Sequence, residues 1–258
     1  MENLDFGLKI EKETAEFGRF VIEPLPAGQG VTLGNALRRI LLSALPGGAV
    51  AEVRIQGVSH PFSTVKGVKE DVVELLLNLK KVRFSLKGEG PYEASLEAKG
   101  KKTVTAKDIK SSSEVVVSNP NLKIASLTDK DAKLSIALVV EKGVGYKPAE
   151  EREGGRVGVI PMDSVFSPVV RVGLRTEGTR VGRKTNFDRL ILEIVTDQTI
   201  KPSAALAAAA EILRDSFEKL SLAAAPRRLV KAVSATPEKS EKQLKKKSAP
   251  RKKSPAKK

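Results

Sequence analysis

The chain has 258 residues, a formal net charge of +15, no cysteine and a single histidine. That length supports one large or two small domains whose core needs no staples. The missing thiols and the lone imidazole exclude disulfides, cysteine nucleophiles, thiolate-held zinc and histidine acid–base pairs. The charge is uneven: residues 227–258 hold 13 Lys or Arg against 2 Glu, while residues 1–226 are close to balance. A nucleic-acid reading of the charge therefore attaches to the end of the chain and not to its body.

The first six residues lack a basic leader followed by an apolar run, and no stretch approaches 18 apolar residues, which reads as a soluble, cytoplasmic protein. Alternation over residues 4–10 and 17–22 predicts an antiparallel strand pair leading to Pro24 and Pro26. A helix follows over residues 32–45, with Thr32 as N-cap and Pro46-Gly47-Gly48 as its stop. Leu33, Leu37, Ile40, Leu41 and Ala44 share one apolar arc of roughly 100°, and Asn35, Arg38, Arg39 and Leu42 share the opposite side. A leucine bracketed by arginines gains nothing from water, and guanidinium forks suit carboxylates or backbone oxygens. The helix thus reads as carrying two contact surfaces, one apolar and one mixed; a core helix with ordinary exposed arginines is the plainer alternative.

A strand at 49–55 comes next, then a second amphipathic helix after Gly67. Val68, Val72, Leu75, Leu76 and Leu79 take its inner face, with Lys69, Glu70 and Glu74 off it. Short strands are predicted at 82–86, 93–98, 103–105, 115–117 and 134–140, between Gly, Asn and Pro turns. A long loop over 143–155 carries Glu150, Glu151, Arg152 and Glu153, and long strands return at 169–177 and 190–196. The last helix opens at Pro202 and runs through Ala225. Its Leu206, Ala210, Leu213, Phe217 and Leu220 form a seam of about 80°, the spacing of a helix that faces another helix or the chain's own sheet. From Ser234 the chain is Lys, Ser, Pro and Ala, too polar to offset its ordering entropy, and predicts a disordered basic tail. Long strands and striped helices on either side of a middle of short strands predict one domain interrupted by another.

Tests for chemistry return little. Gly28 to Gly34 approaches a dinucleotide-binding turn, but its third glycine comes one position late and Pro24 and Pro26 spoil the preceding strand. Gly178 to Thr185 approaches a phosphate loop, yet Arg183 stands where glycine is needed and a strand pattern follows. His60 beside Pro61 reads as a turn residue, Glu70 and Glu74 as a solvated face, and Asp129 and Asp131 lack the further oxygens of a metal site. Without a nucleophile, base or metal cluster in view, binding or scaffolding is favoured over catalysis.

The run Leu33-Gly34-Asn35-Ala36-Leu37-Arg38-Arg39-Ile40-Leu41-Leu42-Ser43 is followed by His60-Pro61-Phe62-Ser63-Thr64, Gly67-Val68-Lys69-Glu70-Asp71 and Leu76-Leu77-Asn78-Leu79-Lys80. Gly145-Tyr146, Pro148-Ala149, Phe166-Ser167-Pro168-Val169, Arg180-Val181-Gly182 with Thr185, and Leu190-Ile191-Leu192-Glu193 come after. In order and spacing, from about residue 5 to 225, these resemble the alpha subunits of bacterial DNA-directed RNA polymerase. The resemblance implies an α+β, two-domain fold: a dimerisation domain of residues 1–46 and 172–228, made of an antiparallel sheet and two helices. An inserted, mostly β domain of residues 47–171 interrupts it, and a disordered basic tail of residues 229–258 follows.

The same resemblance implies a non-catalytic subunit that homodimerises and scaffolds the beta and then the beta-prime subunit, with omega and sigma in the holoenzyme. It would work in the cytoplasm, at the nucleoid and away from membranes. Leu33, Leu37, Ile40 and Leu41 with Leu206, Leu213, Phe217 and Leu220 would form the isologous dimer interface. Arg38, Arg39 and Leu42, and separately Lys80, Asp163, Ser167 and Pro168, would meet the large subunits. Magnesium for nucleotidyl transfer would sit in those large subunits, so no metal or cofactor is expected in this chain. Family members usually continue into a helical carboxy-terminal domain that binds promoter DNA. Here a Lys/Ser/Pro/Ala tail stands instead, either because the sequence is cut short or, the favoured reading, as its replacement. Lys245, Lys246, Lys247, Arg251, Lys252 and Lys253 could touch DNA phosphates without reading bases, or the tail could merely solubilise. Two other classes stay open at this point. One is a free-standing basic nucleic-acid-binding protein, against which the balanced body counts. The other is an enzyme acting on a phosphorylated substrate through Arg38, Arg39 and Lys184.

Overall fold

The computed structural model describes residues 6–152, 158–182 and 184–224. The predicted strand start at residues 4–5, Glu153 and the basic tail with its six DNA-facing residues lie outside that range. Met1–Leu213 form one compact unit and Arg214–Lys258 a second, described over residues 214–224.

In chain order the elements are β1 (Gly7–Glu13), β2 (Phe17–Pro26), α1 (Gln29–Ser43), β3 (Pro46–Ile55), α2 (Val72–Lys80), β4 (Phe84–Leu86) and β5 (Tyr92–Lys99). Then come β6 (Thr103–Thr105), β7 (Ile109–Ser111), β8 (Val115–Val117), β9 (Lys123–Ser126), β10 (Lys133–Val144) and β11 (Tyr146–Lys147). The chain closes with β12 (Ile160–Pro161), β13 (Ser164–Val165), β14 (Val169–Val181), β15 (Lys184–Thr196) and α3 (Pro202–Ala224). The fold is α+β and its sheets are antiparallel. A four-stranded sheet in the order β1-β2-β15-β14 joins strands from both ends of the sequence. A seven-stranded sheet runs β7-β5-β10-β3-β4-β8, with β12 against β3.

Each sheet has its own core. Phe20, Ile22 and Leu25 of β2 and Leu190, Leu192 and Ile194 of β15 pack with Leu37 and Leu41 of α1 and with Ala205, Leu206 and Ala209 of α3. A Cβ on Gly34 would collide with the Leu174 side chain and come within 2.9 Å of Leu190 Cδ1, so glycine in mid-helix is what lets α1 lie on the sheet. In the second core, Leu75 and Leu79 of α2 pack with Val53, Ile55, Leu96, Leu134, Ile136 and Leu138.

Several boundaries differ from expectation, each for a tertiary reason. Helix α1 starts at Gln29, with Gly28 in the left-handed region at φ 82° as its N-cap, so Thr32 lies inside the helix. The Asp188 carboxylate of β15 accepts from the Gly28 N–H at 2.8 Å and the Gly30 N–H at 3.1 Å. It thereby satisfies donors that a helix start leaves free. Glu13 of β1 does the same for α3, accepting from the Ser203 N–H at 2.9 Å. Pro46-Gly47-Gly48 opens β3 immediately after the α1 stop. Helix α2 begins only at Val72, capped by Asp71, and Val68 instead bridges to Leu127.

The reading of Glu70 as solvated is overturned. It precedes the helix, is buried, accepts from the Ser126 N–H at 2.6 Å and pairs with Lys123 at 3.0 Å. Burial alone would raise its carboxyl, but the Lys123 ammonium and the Ser126 N–H outweigh burial and hold it below the usual range. The predicted long loop after residue 143 is ordered in part, as β11 and a single 3-10 turn at Ala149–Glu151.

Candidate interaction surfaces

The outer face of α1 stands as the 3.6-residue period predicts: Arg38, Arg39 and Leu42 are all exposed. Among the described residues neither arginine has a carboxylate partner. Ser43 Oγ donates to the Arg39 carbonyl at 2.7 Å, closing the last turn, and a Cβ on Gly145 would lie 3.7 Å from the Ser43 carbonyl oxygen. The end of α1 therefore abuts the turn between β10 and β11.

On the other side of that turn, Lys80 at the end of α2 pairs with Asp163 at 3.0 Å and lies 5.9 Å from the centre of the Tyr146 ring. The structure thus brings together two residues 83 positions apart. Asp163 also accepts from the Ala149 N–H at 3.0 Å. That N–H first, and Lys80 second, hold its carboxyl below the usual range. Ser167 Oγ donates to the Val169 carbonyl, while Pro168 is buried and its carbonyl accepts from the Asp197 N–H. Of that turn only Ser167 has surface to offer, which corrects the expectation for Pro168.

Sequence reasoning missed Arg152, which it placed among loop charges. Its side chain is 6% exposed. It donates to Glu141 at 2.9 Å, Ser164 Oγ at 2.7 Å and the Met162 carbonyl at 3.3 Å, and Ser164 in turn donates to the Val50 carbonyl. This network pins the segment that carries Tyr146 and Asp163. The available signal was a single arginine set among Glu150, Glu151 and Glu153.

The apolar arc of α1 needs a correction. Leu37 is 3% exposed, Leu41 0% and Leu206 6%, all spent inside the chain's own core, with Leu33, Ile40 and Leu213 packed at its edge. Exposed apolar side chains of the first unit include Phe6 just before β1, Leu8 and Ile10 within it, and elsewhere Leu42, Phe62, Val144 and Tyr146. Leu8 and Ile10 stand opposite Ile22 and Phe20, on the core-facing side of an edge strand. In the second unit Phe217, Leu220 and Leu222 are each more than 60% exposed.

The structure bears out neither the dinucleotide-turn likeness of residues 28–34 nor the phosphate-loop likeness of residues 178–185. The Asp188 carboxylate occupies the α1 N-terminus where an anion would bind, while residues 178–181 belong to strand β14 and Lys184 and Thr185 to strand β15, with Val181 opposite Lys184. Among the described residues no cluster of three or more His, Cys, Asp or Glu could hold a metal. No described helix is long and apolar enough to cross a membrane.

A family model described as the RNA polymerase Rpb3/RpoA insert domain matches residues 53–167. The chain is 47% identical over 220 residues to the DNA-directed RNA polymerase subunit alpha of Carboxydothermus hydrogenoformans, a match covering 82% of this chain and 70% of that one. It is 46% identical over 226 residues to the protein of the same name from a Roseiflexus species, covering 84% and 70%. Its identity to that of Symbiobacterium thermophilum is 48% over 220 residues, again covering 84% and 70%.

Proposed function

The chain belongs to the family of DNA-directed RNA polymerase alpha subunits, and from that premise we propose that it is a non-catalytic scaffold of the transcription enzyme. Two copies pair, and the pair gathers the beta and then the beta-prime subunit, with omega and sigma joining in the holoenzyme. Residues 1–46 and 172–228 act as the pairing domain and residues 47–171 as the inserted one. The observation that carries this reading is the division of labour on α1. Leu37 and Leu41 lock it to its own sheet, while Arg38, Arg39 and Leu42 face outward, the arginines without a carboxylate partner among the described residues.

Pairing is isologous and uses plain apolar surface. In the first unit Phe6, Leu8 and Ile10 with the half-buried Leu33, Ile40 and Leu213, and in the second unit Phe217 and Leu220, are the apolar side chains for a second copy to cover. Lys80, Asp163 and Ser167 belong to a second region that meets a large subunit. Magnesium and the reacting nucleotides belong to the large subunits, so this chain contributes position and no reacting group. It works in the cytoplasm at the nucleoid, where its basic tail adds non-specific contact with DNA phosphates.

Arg39→Ala tests the assembly role: the variant should remain a folded dimer and fail to bind the beta subunit. A variant that binds beta like the parent chain contradicts the reading. For the tail, deleting residues 234–258 should weaken binding of the assembled enzyme to duplex DNA at low salt and flatten its salt dependence. Unchanged affinity and slope remove the tail from DNA contact.

A further inference from the structure

Strand β10 ends at Val144, directly opposite Pro46, the first residue after the α1 stop and Leu45. Pro46, Gly143 and Val144, with the Lys142–Glu89 ion pair at one edge, line an open recess of ≈ 280 Å³. Gly143 has no side chain because a Cβ there would come within 2.7 Å of the Phe166 ring, which is itself buried. Val144 is 53% exposed although it lies on the face of the strand that carries the buried Leu134, Ile136, Leu138 and Val140. The recess is smaller than the roughly 300–1,000 Å³ of small-molecule pockets, a size that suits one anchoring side chain and not a metabolite.

We infer that this recess seats an apolar side chain of the large subunit that Arg38 and Arg39 engage, so that the occupant is a protein segment with an acidic residue beside an apolar one. The inference rests on the scaffold reading above and adds the chemistry of its partner. Two observations choose this occupant. Arg38 and Arg39 offer planar forks that no carboxylate of the described chain fills, and a carboxylate satisfies such forks bidentately. The recess, which meets the end of α1 through the Gly145–Ser43 contact, is lined by Pro46, Gly143 and Val144 with Lys142 at its edge, and that single ammonium is already paired with Glu89, which leaves apolar walls for an apolar side chain. Tyr146 continues the surface toward Lys80, so apolar and charged groups alternate along one face.

The test measures binding of the full chain to its purified beta subunit at several salt concentrations, with Val144→Glu, Val144→Leu and Arg39→Ala beside the parent. Placing a carboxylate in the recess should weaken binding about tenfold or more at every salt concentration, because it opposes both an apolar anchor and an acidic neighbour. Val144→Leu, which keeps the lining apolar and only narrows the seat, should weaken binding far less than Val144→Glu at every salt concentration. Arg39→Ala should lose most at low salt, where charge pairing counts most. All three should keep the parent's urea midpoint and dimer mass. If Val144→Glu binds beta normally while Arg39→Ala does not, the recess is outside the interface and the inference falls, with the scaffold reading intact. If the parent chain itself ignores beta, both fall. Should Val144→Glu split the dimer, or weaken retention on duplex DNA while leaving beta binding unchanged, the occupant is a second copy or a nucleic acid and the inference is wrong.

Discussion

Two exposed apolar surfaces of this protein differ in kind. Along β1, Leu8 and Ile10 stand bare on the side that faces the core in the neighbouring strand, with the exposed Phe6 just before them, an edge left uncovered. At the junction of α1, β10 and α2, Val144, Tyr146 and Leu42 are also bare, but they stand among Arg38, Arg39 and the Lys80–Asp163 pair. A plain apolar face is complementary to itself and suits a second copy, whereas a face with fixed charges demands a partner of opposite arrangement. One chain can therefore carry a self-pairing surface and a surface for foreign subunits without confusing them.

The largest effect should come from breaking the self-pairing kind of surface. Phe6→Asp with Leu8→Asp is expected to weaken dimerisation by about 100-fold or more, since buried aromatic anchors dominate such interfaces. Sedimentation equilibrium reads it, and beta binding by the surviving dimer should be unaffected; an intact dimer would erase the distinction between the two surfaces. Next is the frame beneath the mixed surface. Arg152→Met leaves Glu141 and Ser164 without their shared guanidinium and should cost about 3 kcal/mol in urea unfolding. A loss near zero would mean that the Tyr146–Asp163 segment does not depend on this pin.

Asp188→Ala removes the remote cap of α1 and should cost about 1 kcal/mol, with a modest loss of beta binding as the helix start loosens. The smallest effect concerns pH. The Ala149 N–H and Lys80 depress the folded pKa of Asp163. Its contribution is therefore fully present above the unfolded value of about 3.9 and is lost as pH falls through the lower folded value. In a Tyr92→Phe background, where Tyr146 is the only tyrosine left, the tyrosine signal should be flat from pH 8 to 5 and change only below about pH 4. A transition between pH 5 and 8 would show that another group controls this corner.

Much of the architecture was legible because it is local. Residues 103–105 and 115–117 form strands as predicted, and Pro202 marks the start of α3 as a proline suited to the first helical turn should. What escaped is held from a distance. The α1 start depends on Asp188, about 160 residues away, and the α3 start on Glu13, 190 residues away, so no window of sequence contains the helix and its cap together. Glu70 escaped for a related reason: its partners Ser126 and Lys123 come from β9, and without them an acid near a helix start reads as solvated.

At the candidate site, Arg38, Arg39 and Leu42 were legible from helical period alone. Lys80 and Asp163 were reached only by resemblance, because nothing local links the two. The apolar stripe of α1 foretold burial but not by what, and Leu37 and Leu41 turn out to be covered by the chain's own sheet.

The scaffold reading meets its most direct test in the molar mass of the full chain by light scattering, alone and after mixing with its beta subunit. A dimer alone, becoming a complex of two copies with one beta, is the predicted result. A monomer that leaves beta unbound, or a dimer to which beta adds no mass, would contradict it.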